Sequence, residues 1–81
     1  MTLQEFIENE LEKNTLIGHY MNMKIKDLQE SPKILIDRES EQIKGFINGL
    51  YYTEYITEDT WNNLWEDIDK ITIKRITELY K

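Results

Sequence analysis

The chain has 81 residues, which is room for one folded domain over 1–81. Its formal net charge of -6 and sequence pI of about 4.7 disfavour nucleic acid and anionic membranes as partners, because both repel a negative surface. The absence of cysteine excludes disulfides, thiolate catalysis and zinc–cysteine sites.

The first element in chain order is a helix over about 3–13. Thr2 and Glu5 have the spacing of a capping box, and apolar residues follow at steps of three and four from Leu3 to Leu11. This segment is acidic and polar where a signal peptide is basic and then apolar, and no apolar run approaches about 18 residues. We therefore expect no leader peptide, no membrane span and a cytoplasmic location.

The stretch 14–28 is compatible with three structures. Asn14 or Thr15 could cap a second helix, or the first helix could bend near Gly18 and continue. Part of the stretch also alternates between apolar and polar residues, as a half-buried strand does. We favour a helix, because the only candidate partner strand, at 34–36, is short.

Pro32 ends this part of the chain, since proline lacks a backbone donor and disfavours helix in the residue before it. The residues 30–37 then form a connection, in which we expect Ile34 and Ile36 to lie against the core. Asp37 is the first candidate N-cap of the next helix, and Ser40 offers a later start.

A central helix is predicted over 38–55. Its core face has apolar residues at helical spacing: Ile43, Phe46, Ile47, Leu50 and Tyr51. The opposite sector carries Gly45, Gly49, Tyr52 and Ile56, at about 100° per residue. The glycines either form the floor of a groove that another helix approaches, or are tolerated on a solvated face. Because the chain has no alanine or valine, we expect helices to approach most closely at these glycines.

The last predicted helix spans 58–80. Thr57 is its expected N-cap, and Glu58 and Asp59 lie in the first turn, where the helix end is positive. Its apolar stripe consists of Trp61, Leu64, Trp65, Ile68, Ile71, Thr72, Ile76 and Leu79. With the helix over 38–55 it forms an antiparallel hairpin. The predicted fold is an all-α, compact bundle of three or four helices.

The aromatic residues around the corner divide into two groups. Those on the main stripes are expected in the core: Tyr51, Trp61 and Trp65. Tyr52 and Tyr55 lie off the stripes and are expected at an interface. Near the C-terminus, Arg75 interrupts the stripe, and Ile73 and Tyr80 lie beside it. These final turns either serve a partner, or Arg75 simply extends its charged group into solvent.

Catalytic and metal-binding groups are not suggested by the residue pattern. His19 is the only histidine, and no acid of suitable geometry is near it in sequence. Five carboxylates of the last helix lack a nearby histidine and a calcium-loop pattern: Glu58, Asp59, Glu66, Asp67 and Asp69. We interpret them as a solvated acidic face, and expect no enzyme activity, no bound metal and no cofactor.

The segment 49–61, Gly-Leu-Tyr-Tyr-x-x-Tyr-Ile-Thr-Glu-x-x-Trp, resembles the helix, corner and helix of short bihelical modules such as SHOCT-type domains. It is also similar to small helical proteins of phages and mobile elements. A composition rich in Ile, Lys, Asn and Tyr indicates AT-rich coding, which agrees with a phage or mobile-element origin. Helix capping accounts for most of the pattern, so no family is assigned.

Three functions are compatible with these features. The first is a non-enzymatic protein–protein interaction module that forms a homo-oligomer, with an interface drawn from Gly45, Gly49, Tyr52, Tyr55, Ile56, Ile73 and Tyr80. The second is an acidic inhibitor of a nucleic-acid-binding host or defence protein, whose carboxylates imitate phosphates and whose affinity falls steeply with salt. The third is a helix-turn-helix DNA-binding regulator that reads bases with Asn62 and Asn63, disfavoured by the acids of the same helix.

Overall fold

The computed structural model describes residues 1–80, which form four α-helices and no strand. The helices are α1 (Leu3–Glu12), α2 (Leu16–Gln29), α3 (Ile36–Tyr52) and α4 (Glu58–Leu79), and a short 3-10 turn, Lys33–Leu35, precedes α3. The predicted all-α bundle with a C-terminal hairpin is confirmed. Within the described part of the chain, no helix combines the length and apolar character needed to cross a bilayer.

The N-termini of α1 and α2 are capped by threonines. Thr2 Oγ1 accepts from the Glu5 amide at 3.2 Å, and Glu5 Oε1 accepts from the Thr2 amide at 3.1 Å, so the predicted capping box is present. Asn14, with φ of 58°, adopts the left-handed conformation that interrupts the helix. Thr15 Oγ1 then accepts from the Gly18 amide at 3.0 Å. The stretch 14–28 therefore contains a separate second helix.

The start of α3 differs from its prediction in two ways. Leu35 occupies the N-cap position without a side-chain cap, and Asp37 lies inside the first turn, where its charge still favours the positive helix end. The predicted Asp37 N-cap is wrong. Ile36 is buried as expected, but Ile34 is 86% exposed. The two side chains diverge because a 3-10 turn has about three residues per revolution.

The core is one cluster that draws on all four helices. It consists of Leu3, Phe6, Ile7, Met21, Ile25, Leu28, Ile36, Ile43, Ile47, Leu50, Ile56, Leu64 and Ile68. Tyr51, Trp61 and Trp65 are half-buried at its edge, in agreement with their predicted core position. Among the described residues, none after Ile68 is fully buried, but Ile71 and Ile76 pack against the core cluster, so the last turns of α4 lie along the edge of the core.

Helices α3 and α4 lie side by side in antiparallel orientation. Their cross-helix contacts pair Ser40 with Thr72, Lys44 with Asp69, Asn48 with Trp65, and Tyr51 with Trp61. In these four pairs the residue number on α3 rises while that on α4 falls, so the two antiparallel helices are in contact along most of α3. A DNA-reading helix-turn-helix instead crosses its two helices at about 90–120°.

Of the three glycines, Gly18 is the one at which two helices, α1 and α2, approach closely. A Cβ atom at Gly18 would lie 2.7 Å from the Glu10 carbonyl carbon and 2.8 Å from the Leu11 amide nitrogen. Gly45 and Gly49 are exposed, and a Cβ atom at either would meet nothing within 4 Å. The expectation that helices of this chain approach most closely at Gly45 and Gly49 is wrong, because that side of α3 faces solvent.

Candidate functional site

The seven predicted interface residues fall in three separate places. Gly45, Gly49 and Tyr52 lie on the exposed side of α3, which we call the glycine face. Tyr52 is 76% exposed, and its ring centroid is 5.7 Å from that of Tyr51. On the glycine face, the two glycines therefore leave the α3 backbone uncovered beside one exposed aromatic ring, that of Tyr52.

The corner residues Tyr55 and Ile56 do not join the glycine face. Ile56 belongs to the core, so its predicted position on that face is wrong. The prediction extended the phase of α3 past its end, whereas α3 stops at Tyr52 and Glu54 has a left-handed φ of 63°. This break in the helix turns Ile56 inward.

Ile73 and Tyr80 belong to an exposed apolar region at the far end of the bundle. Each is 64% exposed on the last turns of α4, Leu79 is also exposed there, and the 3-10 turn carries two further exposed apolar side chains, Ile34 and Leu35. The Lys33 ammonium lies 4.2 Å from the Tyr80 ring centroid, which places the 3-10 turn against the last turn of α4. We call Ile34, Leu35, Ile73, Leu79 and Tyr80 the C-terminal patch.

The sequence reading missed three members of this patch: Ile34, Leu35 and Leu79. For Leu79, the signal available in the sequence is the length of the helix predicted over 58–80, whereas Ile34 and Leu35 lie in the 3-10 turn and have no such signal. α4 has 22 residues, whereas α1, α2 and α3 have 10, 14 and 17. When one helix of a bundle is longer than the others, its last apolar residues have less neighbouring surface to pack against.

Arg75 ties α4 to the connection before α3. Its Nε donates to the Ser31 carbonyl oxygen at 2.8 Å, and its Nη1 lies 3.8 Å from Glu78 Oε2. The guanidinium group therefore has a structural contact inside the chain, which neither of the two predicted interpretations of Arg75 included.

A polar residue missed by the sequence reading joins the two tryptophans. Asn48 Oδ1 accepts from the indole nitrogens of Trp61 at 2.8 Å and of Trp65 at 3.2 Å. The Lys44 ammonium lies 4.7 Å from the Trp65 ring centroid and 2.6 Å from Asp69. These contacts satisfy the indole donors inside the α3–α4 groove, so the tryptophans are held in the fold.

The acidic residues of α4 divide into engaged and free groups. Asp67 Oδ2 accepts from the Leu3 amide at 2.9 Å, and Asp69 pairs with Lys44. Three others are exposed: Glu58, Asp59 and Glu66. Across residues 1–80, no three His, Asp or Glu side chains are grouped to hold a metal ion.

His19 and Asn62 were the other polar residues singled out for chemistry or base reading. His19 is exposed, and its Nε2 lies 2.8 Å from Asn14 Oδ1, at the α1–α2 connection. Asn62 is exposed on α4, and Asn63 is half-buried. The structure does not bring these residues together.

Glu10 is a buried carboxylate that the sequence reading missed. It is 3% exposed. Its Oε1 accepts from the Tyr55 hydroxyl and, at 3.1 Å, from Thr15 Oγ1, whereas its Oε2 lies 3.5 Å from Lys13 Nζ. Helix phase was the available signal, since Glu10 follows Phe6 and Ile7 at steps of four and three.

The protonation states of this pair are fixed by their mutual hydrogen bond. Burial acts to raise the pKa of Glu10, but the hydrogen bonds from Tyr55, Thr15 and Lys13 outweigh it and hold that pKa below its usual 4.5. The same bond to Glu10 raises the pKa of Tyr55 above its usual 10.0. At pH values between these two pKa values, the Glu10 carboxylate is charged and the Tyr55 hydroxyl is protonated.

The pair gives folding stability a defined pH window. The contribution of Glu10 is present above its unfolded pKa and is lost as pH falls through its lowered folded pKa. The contribution of Tyr55 is present below its unfolded pKa and is lost as pH rises through its raised folded pKa. We expect Tyr55→Phe to reduce the free energy of unfolding at neutral pH and to remove the alkaline loss, as measured by urea unfolding followed by tryptophan fluorescence.

Tyr52→Phe is the control for this experiment, because Tyr52 is the exposed tyrosine of the glycine face. It should leave both the neutral stability and the alkaline loss at wild-type levels. An alkaline loss of equal size in the wild type and in Tyr55→Phe would show that the Tyr55 hydroxyl does not contribute.

The described residues offer three candidate binding features: the glycine face, the C-terminal patch and the buried Glu10 with its donors. The chain matches no protein-family model, no curated protein and no solved structure.

Proposed function

We propose that this protein is a non-enzymatic, cytoplasmic protein–protein interaction module that self-associates through its C-terminal patch. The observation that carries the proposal is the group of five large apolar side chains left exposed on the last turns of α4 and on the 3-10 turn that Lys33 holds against Tyr80. Exposed apolar side chains gathered at one end of a small protein are typical of interaction sites. The absence of cysteine is consistent with a reducing compartment.

A second copy of the chain is the partner that best fits the patch. Ile73 and Tyr80 are seven residues apart, one heptad, and therefore lie on the same side of α4 as positions of a helix-pairing seam do. A second α4 in antiparallel orientation would present the same stripe to the first, which gives a two-fold interface. Covering a large apolar side chain that is otherwise exposed contributes about 1.5 to 3 kcal/mol.

The glycine face is the second part of the proposed interface, for a helix of another copy or of a different protein. Gly45 and Gly49 leave the α3 backbone open, and Tyr52 supplies an aromatic side chain beside them. Aromatic side chains are enriched among the residues that dominate binding energy. The glycine face has one large exposed side chain, whereas the C-terminal patch has five. We therefore assign the glycine face the smaller share of the binding energy.

Sedimentation equilibrium tests the self-association. We expect the wild type to show a mass that rises with concentration above the 9.8 kDa of one chain. Replacing both Ile73 and Tyr80 by serine should weaken the association at least about ten-fold, since each substitution removes apolar contact worth about 1 kcal/mol or more. Both side chains are exposed, so circular dichroism should show an unchanged helix content.

Leu16→Ser is the matched control, because Leu16 is 87% exposed but lies at the start of α2, outside the patch. It should leave the association constant unchanged. A wild type that stays at 9.8 kDa across the concentration range, or a Leu16→Ser variant that dissociates equally, would overturn the proposed interface.

A further inference from the structure

A cleft of about 300 Å³ lies between α1 and the corner that joins α3 to α4. Its walls are formed by Met1, Phe6, Asn9, Glu10, Lys13, Tyr55, Ile56, Thr57 and Thr60. This volume is at the lower end of the range for small-ligand sites, roughly 300–1,000 Å³. The cleft is therefore large enough for a short side chain or a small organic molecule.

The two oxygens of Glu10 are unequally satisfied in this cleft. Oε1 receives two hydrogen bonds, from Tyr55 and Thr15. Oε2 has only the Lys13 ammonium at 3.5 Å, and the Lys13 side chain is 66% exposed. The hydrogen bonds to Oε1 stabilise the charged carboxylate, whereas the long contact to the solvated Lys13 adds little, so Oε2 keeps acceptor capacity for a closer cation.

The remaining lining suits a cation that carries a hydrocarbon stem. Phe6 and Ile56 give the cleft apolar walls, and Thr57 and Thr60 place hydroxyl groups at its edge. A single carboxylate suits an ammonium or guanidinium group better than a metal ion, which takes several oxygen ligands. Exposed acids of the corner, Glu54 among them, add to the attraction for cations.

We propose that this cleft binds an alkylammonium or alkylguanidinium group, whose cationic end displaces Lys13 from Glu10 Oε2 while its stem lies against Phe6 and Ile56. The chemistry is shared by free amines and by the lysine or arginine side chains of a protein. The proposal does not rest on self-association, because the cleft adjoins the corner and the C-terminal patch lies at the other end of α4.

Titrations followed by amide NMR shifts test the cleft with n-butylammonium and n-butylguanidinium as probes and neutral n-butanol as the comparison. We expect saturable shifts at Glu10, Lys13 and Tyr55 with the two cations and none with the alcohol. Lys13→Gln should tighten cation binding about three-fold, since it removes a competing surface ion pair. Glu10→Gln should weaken it at least about ten-fold.

Lys26→Gln is the charge-matched control, because Lys26 is exposed on α2 and does not line the cleft. It should not tighten binding. Lys13 is largely exposed, so Lys13→Gln remains informative even if Glu10→Gln unfolds the protein. Equal shifts with butanol and butylammonium, or equal affinities in the wild type and Lys13→Gln, would overturn the proposal.

A capped Gly-Arg-Gly peptide separates the two sources of the cation. If it produces the same shifts at equal or higher affinity than n-butylguanidinium, the cleft accepts an arginine side chain of a polypeptide. If only the small cations bind, the ligand is a free amine or guanidine. Both results support the cation site, whereas failure of all three cations would contradict it.

Discussion

Gly18→Ala is expected to lower the free energy of unfolding by about 2 kcal/mol, the middle of the range of roughly 1–3 kcal/mol for overpacked sites. The added Cβ would lie under 3.0 Å from three atoms of Glu10 and Leu11, two of which are backbone atoms. Backbone cannot move aside as a side-chain tip can, so α1 and α2 must separate. The helix propensity of alanine, worth about 1 kcal/mol over glycine, offsets only part of this strain. Urea unfolding followed by tryptophan fluorescence measures the change.

Gly45→Ala and Gly49→Ala are the matched controls for this substitution. Both glycines are helical, and an added Cβ would meet nothing within 4 Å. Each control should raise the free energy of unfolding by about 0.4 to 1 kcal/mol, because alanine restricts the unfolded chain. A Gly18→Ala variant as stable as these two would mean that α1 and α2 are not in close contact.

Glu39→Ala is expected to lower the free energy of unfolding by about 2 to 3 kcal/mol. The Lys24 ammonium lies 2.6 Å from Glu39 Oε2 and 2.8 Å from Gln42 Oε1, and joins α2 to α3. Removing Glu39 leaves a nearly buried ammonium with one neutral acceptor. Breaking a fully buried pair costs about 3 to 5 kcal/mol, and the side-chain exposures of 10% and 17% at Lys24 and Glu39 reduce that cost.

The double variant Lys24→Met/Glu39→Leu is the informative comparison for this substitution. It replaces both charged groups by apolar side chains that keep most of the stem volume, and replacement of a whole buried ion pair in this way is often neutral. We therefore expect a change within about 1 kcal/mol, measured by the same urea unfolding. A loss from the double variant as large as that from Glu39→Ala would contradict the view that the unpaired Lys24 ammonium causes the loss in Glu39→Ala.

The predictions that succeeded depend on short stretches of chain. The capping box of Thr2 and Glu5 and the Thr57 cap each involve residues three apart, and both were readable without knowing the fold. The apolar period of the central helix likewise identified Ile43 and Ile47 as core. Local hydrogen bonds and helical periodicity are therefore sufficient to locate α1, α3 and α4, whereas by sequence the stretch 14–28 is compatible with three structures.

The predictions that failed depend on where one helix meets another. Tyr52 and Ile56 would lie on the same side of α3 only if the helix continued past Tyr52. The sequence contains no clear signal that the helix ends there. The sequence does not distinguish Gly18 from Gly45. Only the packing of α1 on α2 leaves no room for a Cβ atom at Gly18, whereas a Cβ atom at Gly45 would meet nothing within 4 Å. The Glu10 site combines residues 45 positions apart, a distance over which periodicity carries no information.

The hydrogen bond from the Leu3 amide to Asp67 has a consequence for the order of folding. It joins residues 64 positions apart, so α1 receives this contact only after about the first half of α4 has been synthesised. A helix of 10 residues is marginal in water by itself. The α3–α4 hairpin can form from contacts between neighbouring elements, and α1 then docks onto it. Hydrogen exchange at the Leu3 amide reports this docking step directly.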